Sequence, residues 1–139
     1  MENRKLQPLR IPGGWTMAFN DFMDIDPMEI SDENDWLVYF SEDLLYISTE
    51  ITRKLNKQTE TQILGIDLGW YPEGDPNGSF KLQAILNDNW ENPLLEFSSR
   101  SKDEIVEMLE QWLFVKFMPR YFIDEKSFRW NHICEYSTR

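Results

Sequence analysis

Two alternating segments separated by a turn-forming stretch constrain the fold of this chain most strongly. Large apolar side chains alternate with glycine or aspartate over residues 64–70, and with mainly polar side chains over residues 80–86. The apolar positions are Leu64, Ile66, Leu68, Trp70, Phe80, Leu82, Ala84 and Leu86. A period of two is that of a strand with one buried face. Because the intervening Asp75-Pro76-Asn77-Gly78 is typical of a tight turn, the pattern predicts an antiparallel hairpin.

Further strands are predicted on both sides of this hairpin. Residues 15–19 alternate and indicate a half-buried strand, residues 36–40 and 44–49 indicate two more, and residues 94–97 a short last one. Residues 50–61 contain few apolar side chains, so they are interpreted as a polar connection.

One helix is predicted to begin after Ser101. Ser101 and Glu104 have the spacing of a capping box, in which each side chain satisfies a free backbone N–H group. An apolar stripe follows at helical spacing, and Pro119 is predicted to end the helix. The stripe consists of Ile105, Leu109, Trp112 and Leu113. The predicted fold is a single α+β domain over residues 1–139, an antiparallel sheet of five or six strands with this helix packed on one face.

The negative charge is concentrated near the N-terminus. The chain has a formal net charge of −11, and residues 11–52 contain no Lys or Arg and contribute −10 of it. Their ten carboxylates are Asp21, Asp24, Asp26, Glu29, Asp32, Glu33, Asp35, Glu42, Asp43 and Glu50. Large apolar residues alternate with these charges, which indicates ordered structure rather than an acidic tail. A cationic partner would relieve the repulsion. The plainer interpretation is a solvated acidic surface.

The composition also bounds the partners and the compartment. The strong net negative charge argues against nucleic acid and anionic membranes as direct partners. A single cysteine, Cys134, excludes an internal disulfide and favours a reducing compartment. The first twelve residues show no apolar run typical of a signal peptide. The expected location is the cytoplasm, and the sequence leaves the oligomeric state open.

Enzymatic chemistry finds little support in the sequence. The chain has one histidine, His132, and its proximity to Cys134 does not suit a catalytic dyad, whose members usually come from distant positions. No segment matches a phosphate-binding loop, a dinucleotide fingerprint or a zinc pattern. A hydrolase with paired carboxylates stays a remote option. The prediction is a protein without enzymatic activity and without a cofactor.

Two groups of acidic residues resemble parts of metal sites. Residues 73–78 imitate the first half of a calcium loop, but Ala84 stands where a bidentate glutamate should follow. Asp24, Asp26 and Glu29 could approach a divalent cation, yet the sequence supplies no fourth ligand. No metal site is predicted.

Trp90 differs from the other tryptophans. Most of the six lie in phase with a strand or helix face and are predicted to pack in the core. Trp90 lies in the polar stretch of residues 87–92, where other residues would have to shield its large aromatic ring from water. Partner contact and burial within the chain both remain open.

The N-terminal region resembles a known group of proteins. Residues 9–15, Leu-Arg-Ile-Pro-Gly-Gly-Trp, are followed by Asn20, Phe22 and the run Asp24-Ile25-Asp26-Pro27. This opening resembles that of small acidic Bacillus-type immunity proteins of wall-associated or contact-dependent toxin systems. The resemblance implies a protein that binds a cognate toxin domain, often a nuclease, and blocks it.

These observations lead to one functional hypothesis and one alternative. The hypothesis is a non-enzymatic immunity protein that binds and neutralises a basic toxin domain through its acidic surface. The alternative is a small ligand-binding or regulatory α+β domain. The predicted partner-binding residues are Asp21, Asp24, Asp26, Glu29, Asp32, Glu33, Asp35 and Trp90.

Overall fold

The computed structural model describes residues 5–55 and 57–117, without the side chains of residues 53–55. Its strands form one antiparallel sheet in the order β1-β2-β3-β4-β5, so each pairs with its neighbour in sequence. The strands are β1 (Thr16–Asn20), β2 (Leu45–Leu55), β3 (Gln58–Tyr71), β4 (Ser79–Leu86) and β5 (Leu95–Ser99). With the helices described next, this sheet makes the protein an α+β fold, as the sequence predicted.

Two helices and two short 3₁₀ turns complete the described fold. The helices are α1 (Trp36–Tyr39) and α2 (Lys102–Gln111), and α2 continues as a π-helical turn over Trp112–Lys116. The 3₁₀ turns are Pro27–Glu29 and Glu33–Asp35. Ser101 caps α2, because its Oγ accepts a hydrogen bond from the backbone N–H of Glu104. The Glu104 carboxylate accepts from the Ser99 hydroxyl, so only half of the predicted capping box forms.

The core lies on one face of the sheet. Helix α2 covers it over β4 and β5, with Ile105, Leu109, Trp112 and Leu113 all buried as predicted. Residues 22–40 contribute aromatic rings to the same core, and Trp36, Phe40, Trp70 and Phe80 form a cluster. Full burial of such a side chain contributes about 1.5–3 kcal/mol.

Residues 36–40 were predicted as a strand, and that prediction was wrong. Trp36 and Phe40 lie one helical turn apart, and the N–H of Phe40 donates to the carbonyl of Trp36. Both rings pack against Trp70, with centroid distances of 5.8 Å for Trp36 and 4.7 Å for Phe40. A strand would place positions 36 and 40 about 13 Å apart, too far to share one ring closely.

The polar connection predicted at residues 50–61 is also absent. The β2–β3 pairing continues from Glu50 opposite Ile63 to Leu55 opposite Gln58. Backbone hydrogen bonds to the partner strand therefore hold polar residues in an extended hairpin. Strand β1 was predicted to be half buried, but residues 16–19 are all exposed because β1 is an edge strand of this sheet.

Some predictions fall on residues outside the described part of the chain. Pro119 and the aromatic tail belong there, with His132 and Cys134. Over residues 5–55 and 57–117, no helix has the length and apolar character needed to cross a membrane.

Candidate functional site

The predicted docking charges lie on one ordered stretch, residues 21–35, which we call the acidic segment. Buried Phe22, Ile25 and Pro27 fix this segment to the core side of the sheet. All seven predicted carboxylate residues are exposed or half-buried. The charges therefore lie on a loop that buried side chains anchor to the core.

Asp24 already has a cationic partner within the chain. Its Oδ1 lies 2.9 Å from Nζ of Lys102, in the first turn of α2. The Lys102 ammonium also donates to the side-chain oxygen of Gln7, and this lysine side chain is only 10% exposed. Asp24 consequently ties the acidic segment to α2, and part of its charge is neutralised.

Two other carboxylates shape the turns of the acidic segment. The Glu29 carboxylate accepts from the N–H of Asp26 at 2.8 Å, and Asp32 Oδ1 accepts from the N–H of Asn34 at 2.9 Å. Asp21, Glu33 and Asp35 accept no side-chain hydrogen bond in the described part of the chain, so these three carboxylates remain available to a partner.

Exposed apolar side chains lie within the acidic segment and directly after it. Met28 is 94% exposed, and Leu37 and Val38 are each more than half exposed. The side chain of Leu37 lies against Gly74, in the β3–β4 connection. Exposed apolar groups surrounded by carboxylates are typical of a protein-binding surface with a charged rim.

A second arrangement lies on the opposite face of the sheet, around Asp67 of β3. Asp67 pairs with Tyr46 on β2 and with Gln83 on β4, so all three side chains share this face. We call it the Asp67 face. Asp67 is only 7% exposed, yet no donor in the described part of the chain makes a hydrogen bond to its carboxylate. Such a group is unfavourable for stability and calls for an explanation.

Two glycines explain how side chains enclose Asp67. A Cβ atom at Gly65 would meet the hydroxyl and ring of Tyr46. A Cβ atom at Gly69 would meet the backbone carbonyl of Glu42 and the ring of Tyr71. The two glycines therefore allow Tyr46 on one side, and Tyr71 with residue 42 on the other, to approach β3 closely.

Burial and neighbouring charges perturb the ionisation of groups on the Asp67 face. Burial raises the pKa of Asp67 to about 6, repulsion from Asp43 adds to this rise, and Lys81 opposes it. The Lys81 ammonium lies 4.4 Å from the centroid of the Tyr71 ring. Burial, followed by the nearby carboxylates, raises the pKa of Tyr71 to about 12, so its ring stays neutral at physiological pH.

Trp90 lies next to Tyr46 at the edge of this face. The connection after β4 is fixed to β3, because Asn87 accepts from the N–H of Ile63 and donates its own N–H to that residue's carbonyl. The Trp90 ring is 6.3 Å from the Tyr46 ring, and Trp90 stays 46% exposed. It is thus partly covered within the chain and partly available to a partner.

The structure separates the predicted residues into two surfaces. The acidic segment packs on the core side of the sheet, whereas Trp90 lies with Tyr46 on the Asp67 face. The sequence interpretation placed Asp67 on the outer side of β3 but did not select it as a site. The signal was present in Gly65-x-Asp67-x-Gly69, a carboxylate between two glycines in a strongly apolar strand.

Over residues 5–55 and 57–117, no three His, Cys, Asp or Glu side chains are placed to hold a metal ion together. Comparisons with protein-family models, with curated proteins and with solved structures gave no match to this chain.

Proposed function

We propose that this chain is a non-enzymatic immunity protein that binds and neutralises a basic toxin domain. The observation that carries the proposal is the composition of the acidic segment. Asp21, Glu33 and Asp35 present carboxylates to solvent, and Met28 and Val38 expose apolar side chains in the same stretch of chain. Apolar groups supply binding energy in an interface, while the surrounding charges select the sign of the partner.

The charge pattern suits inhibition of a nuclease in particular. A nuclease binds a polyanion, so its active site is basic, and carboxylates on an inhibitor can occupy the positions of phosphates. Long-range attraction also accelerates encounter, which benefits an inhibitor that must arrive before the toxin acts. This attraction weakens with salt, because its reach is about 10 Å at 0.1 M ionic strength.

The test replaces the three carboxylates that have no internal partner. The variant is Asp21→Asn, Glu33→Gln and Asp35→Asn, which changes the net charge from −11 to −8. A matched control with the same net charge replaces three exposed carboxylates elsewhere. The control is Glu50→Gln, Glu91→Gln and Glu107→Gln. Asp24 is left intact in both, because its loss would also disturb Lys102.

The measurement is binding kinetics against the C-terminal domain of the protein encoded next to this chain, at several salt concentrations, with growth protection in cells. The acidic-segment variant should associate at least tenfold more slowly at low salt and protect poorly, whereas the control should stay near wild type. Met28→Ala should mainly accelerate dissociation, since its charge is unchanged. Equal kinetics for both triple variants, or no binding at all, would refute the proposal.

A further inference from the structure

We infer that the Asp67 face holds a receptor for a cationic side chain, an arginine of a basic protein partner. The inference rests on the proposed function for the identity of the partner, but the receptor itself can be tested separately. The structural basis is the enclosed carboxylate of Asp67 together with the aromatic rings of Tyr46 and Tyr71 beside it.

The carboxylate of Asp67 has unused hydrogen-bonding capacity. The residue is 7% exposed, its side chain points to the face opposite α2, and it accepts no hydrogen bond from the described residues. An ionised carboxylate in such surroundings keeps only limited contact with water and receives no protein donor in exchange. A cationic donor from a partner would supply both the missing charge and the missing hydrogen bonds.

Several other carboxylates add negative charge around Asp67. Asp43 raises the pKa of Asp67, Glu42 raises the pKa of Tyr71, and Asp88 raises the pKa of Tyr46. The Glu96 carboxylate accepts a hydrogen bond from the side chain of Gln83. Together with Asp67, these are five carboxylates. In the described part of the chain, Lys81 is the cation that lies close to them. The Asp67 face therefore has excess negative charge that an external cation can balance.

The aromatic rings beside Asp67 favour arginine among cationic side chains. Lys81 already occupies the Tyr71 ring at 4.4 Å, which shows that this surface accommodates a cation against an aromatic ring. A guanidinium is planar, stacks on aromatic rings and donates two parallel hydrogen bonds to one carboxylate. The partly exposed rings of Phe19 and Trp90 both lie near the Tyr46 ring. They would contact apolar residues of the partner that lie next to the arginine.

The receptor can be tested on the full chain with N-acetyl-arginine methylamide as the probe. Nuclear magnetic resonance would follow the side-chain carboxyl signal of Asp67 and the amide signals of Tyr46 and Gln83. The lysine analogue and the citrulline analogue, a neutral isostere of arginine, serve as comparison ligands. Asp67→Asn removes the charge, and Asp103→Asn is the matched control on exposed surface of α2.

The arginine probe should shift these signals saturably at millimolar concentration, the lysine analogue more weakly, and the citrulline analogue not at all. Asp67→Asn should weaken probe binding at least tenfold, and Asp103→Asn should leave it unchanged. Unchanged binding in Asp67→Asn, shifts confined to the acidic segment, or equal shifts with calcium would each overturn the inference.

The same variants separate this inference from the proposed function. If arginine binds at Asp67 but the neighbouring domain does not bind the chain, the immunity proposal fails and the receptor stands. If the neighbouring domain binds Asp67→Asn as well as wild type and arginine shifts nothing at Asp67, the receptor fails and the immunity proposal stands.

Discussion

Replacing Asp67 with asparagine should stabilise the protein, and the gain should depend on pH. The pKa of Asp67 rises from its ordinary value of 3.8 to about 6 in the folded protein, mainly through burial. The unfolded chain loses this proton near pH 4, whereas the folded chain retains it until about pH 6. Between these values the folded state binds more protons, so the free energy of unfolding falls as pH rises.

The magnitude follows from the shift. A rise of about 2 pKa units corresponds to at most about 3 kcal/mol at 1.36 kcal/mol per unit, and water that reaches the carboxylate lowers this penalty. Asparagine has a similar shape and cannot ionise, so Asp67→Asn avoids this penalty. Relative to wild type, the variant should gain little near pH 4 and about 1–3 kcal/mol above pH 7. The tyrosines facing Asp67 do not titrate in this window, because burial raises the pKa of Tyr46 and of Tyr71.

The assay is urea denaturation of both proteins at intervals from pH 4 to pH 8. Asp43→Asn should reduce the effect of Asp67→Asn, because Asp43 contributes to the raised pKa of Asp67. Asp103→Asn, on exposed surface, should show no comparable pH-dependent gain. A stability difference that does not change with pH, or a variant less stable than wild type at pH 8, would refute the account of Asp67 as a buried carboxylate without donors.

Three further predictions concern stability. Leu109→Ala should lower the free energy of unfolding by about 2–5 kcal/mol, because it opens a cavity under α2; a loss below about 1 kcal/mol in urea denaturation would contradict this packing. Asp24→Asn should destabilise by about 1–3 kcal/mol, because Lys102 loses its charged partner in a nearly buried setting; unchanged stability would mean that the pair contributes nothing. Gly65→Ala should displace Tyr46 and lower the melting temperature, with a changed near-ultraviolet circular dichroism signal as the check.

Local sequence patterns were sufficient for the central hairpin and for α2. Strands β3 and β4 follow the alternation of residues 64–70 and 80–86, and the Gly78 N–H to Asp75 carbonyl hydrogen bond closes the predicted turn. Helix α2 begins after Ser101 because its cap and its apolar stripe agree. In both elements the local preference and the buried face point to the same structure, so tertiary packing had nothing to override.

Short or polar segments were decided by their surroundings instead. Residues 36–40 are apolar enough for a strand or a buried helical turn, and contact of Trp36 and Phe40 with Trp70 selects the helix. Residues 50–61 have little apolar content of their own. They extend as strands because each arm of the hairpin satisfies the backbone hydrogen bonds of the other.

The sequence by itself determined the acidic segment, because its seven carboxylates all lie within residues 21–35. The Asp67 face depends on tertiary structure, since Tyr46, Asp67 and Gln83 come from three strands and meet only through the register. The tertiary structure also determines which carboxylates have a partner within the chain. Lys102, 78 residues further along the chain, pairs with Asp24. Composition places charge along a chain, but side-chain pairing and burial require the folded arrangement of its elements.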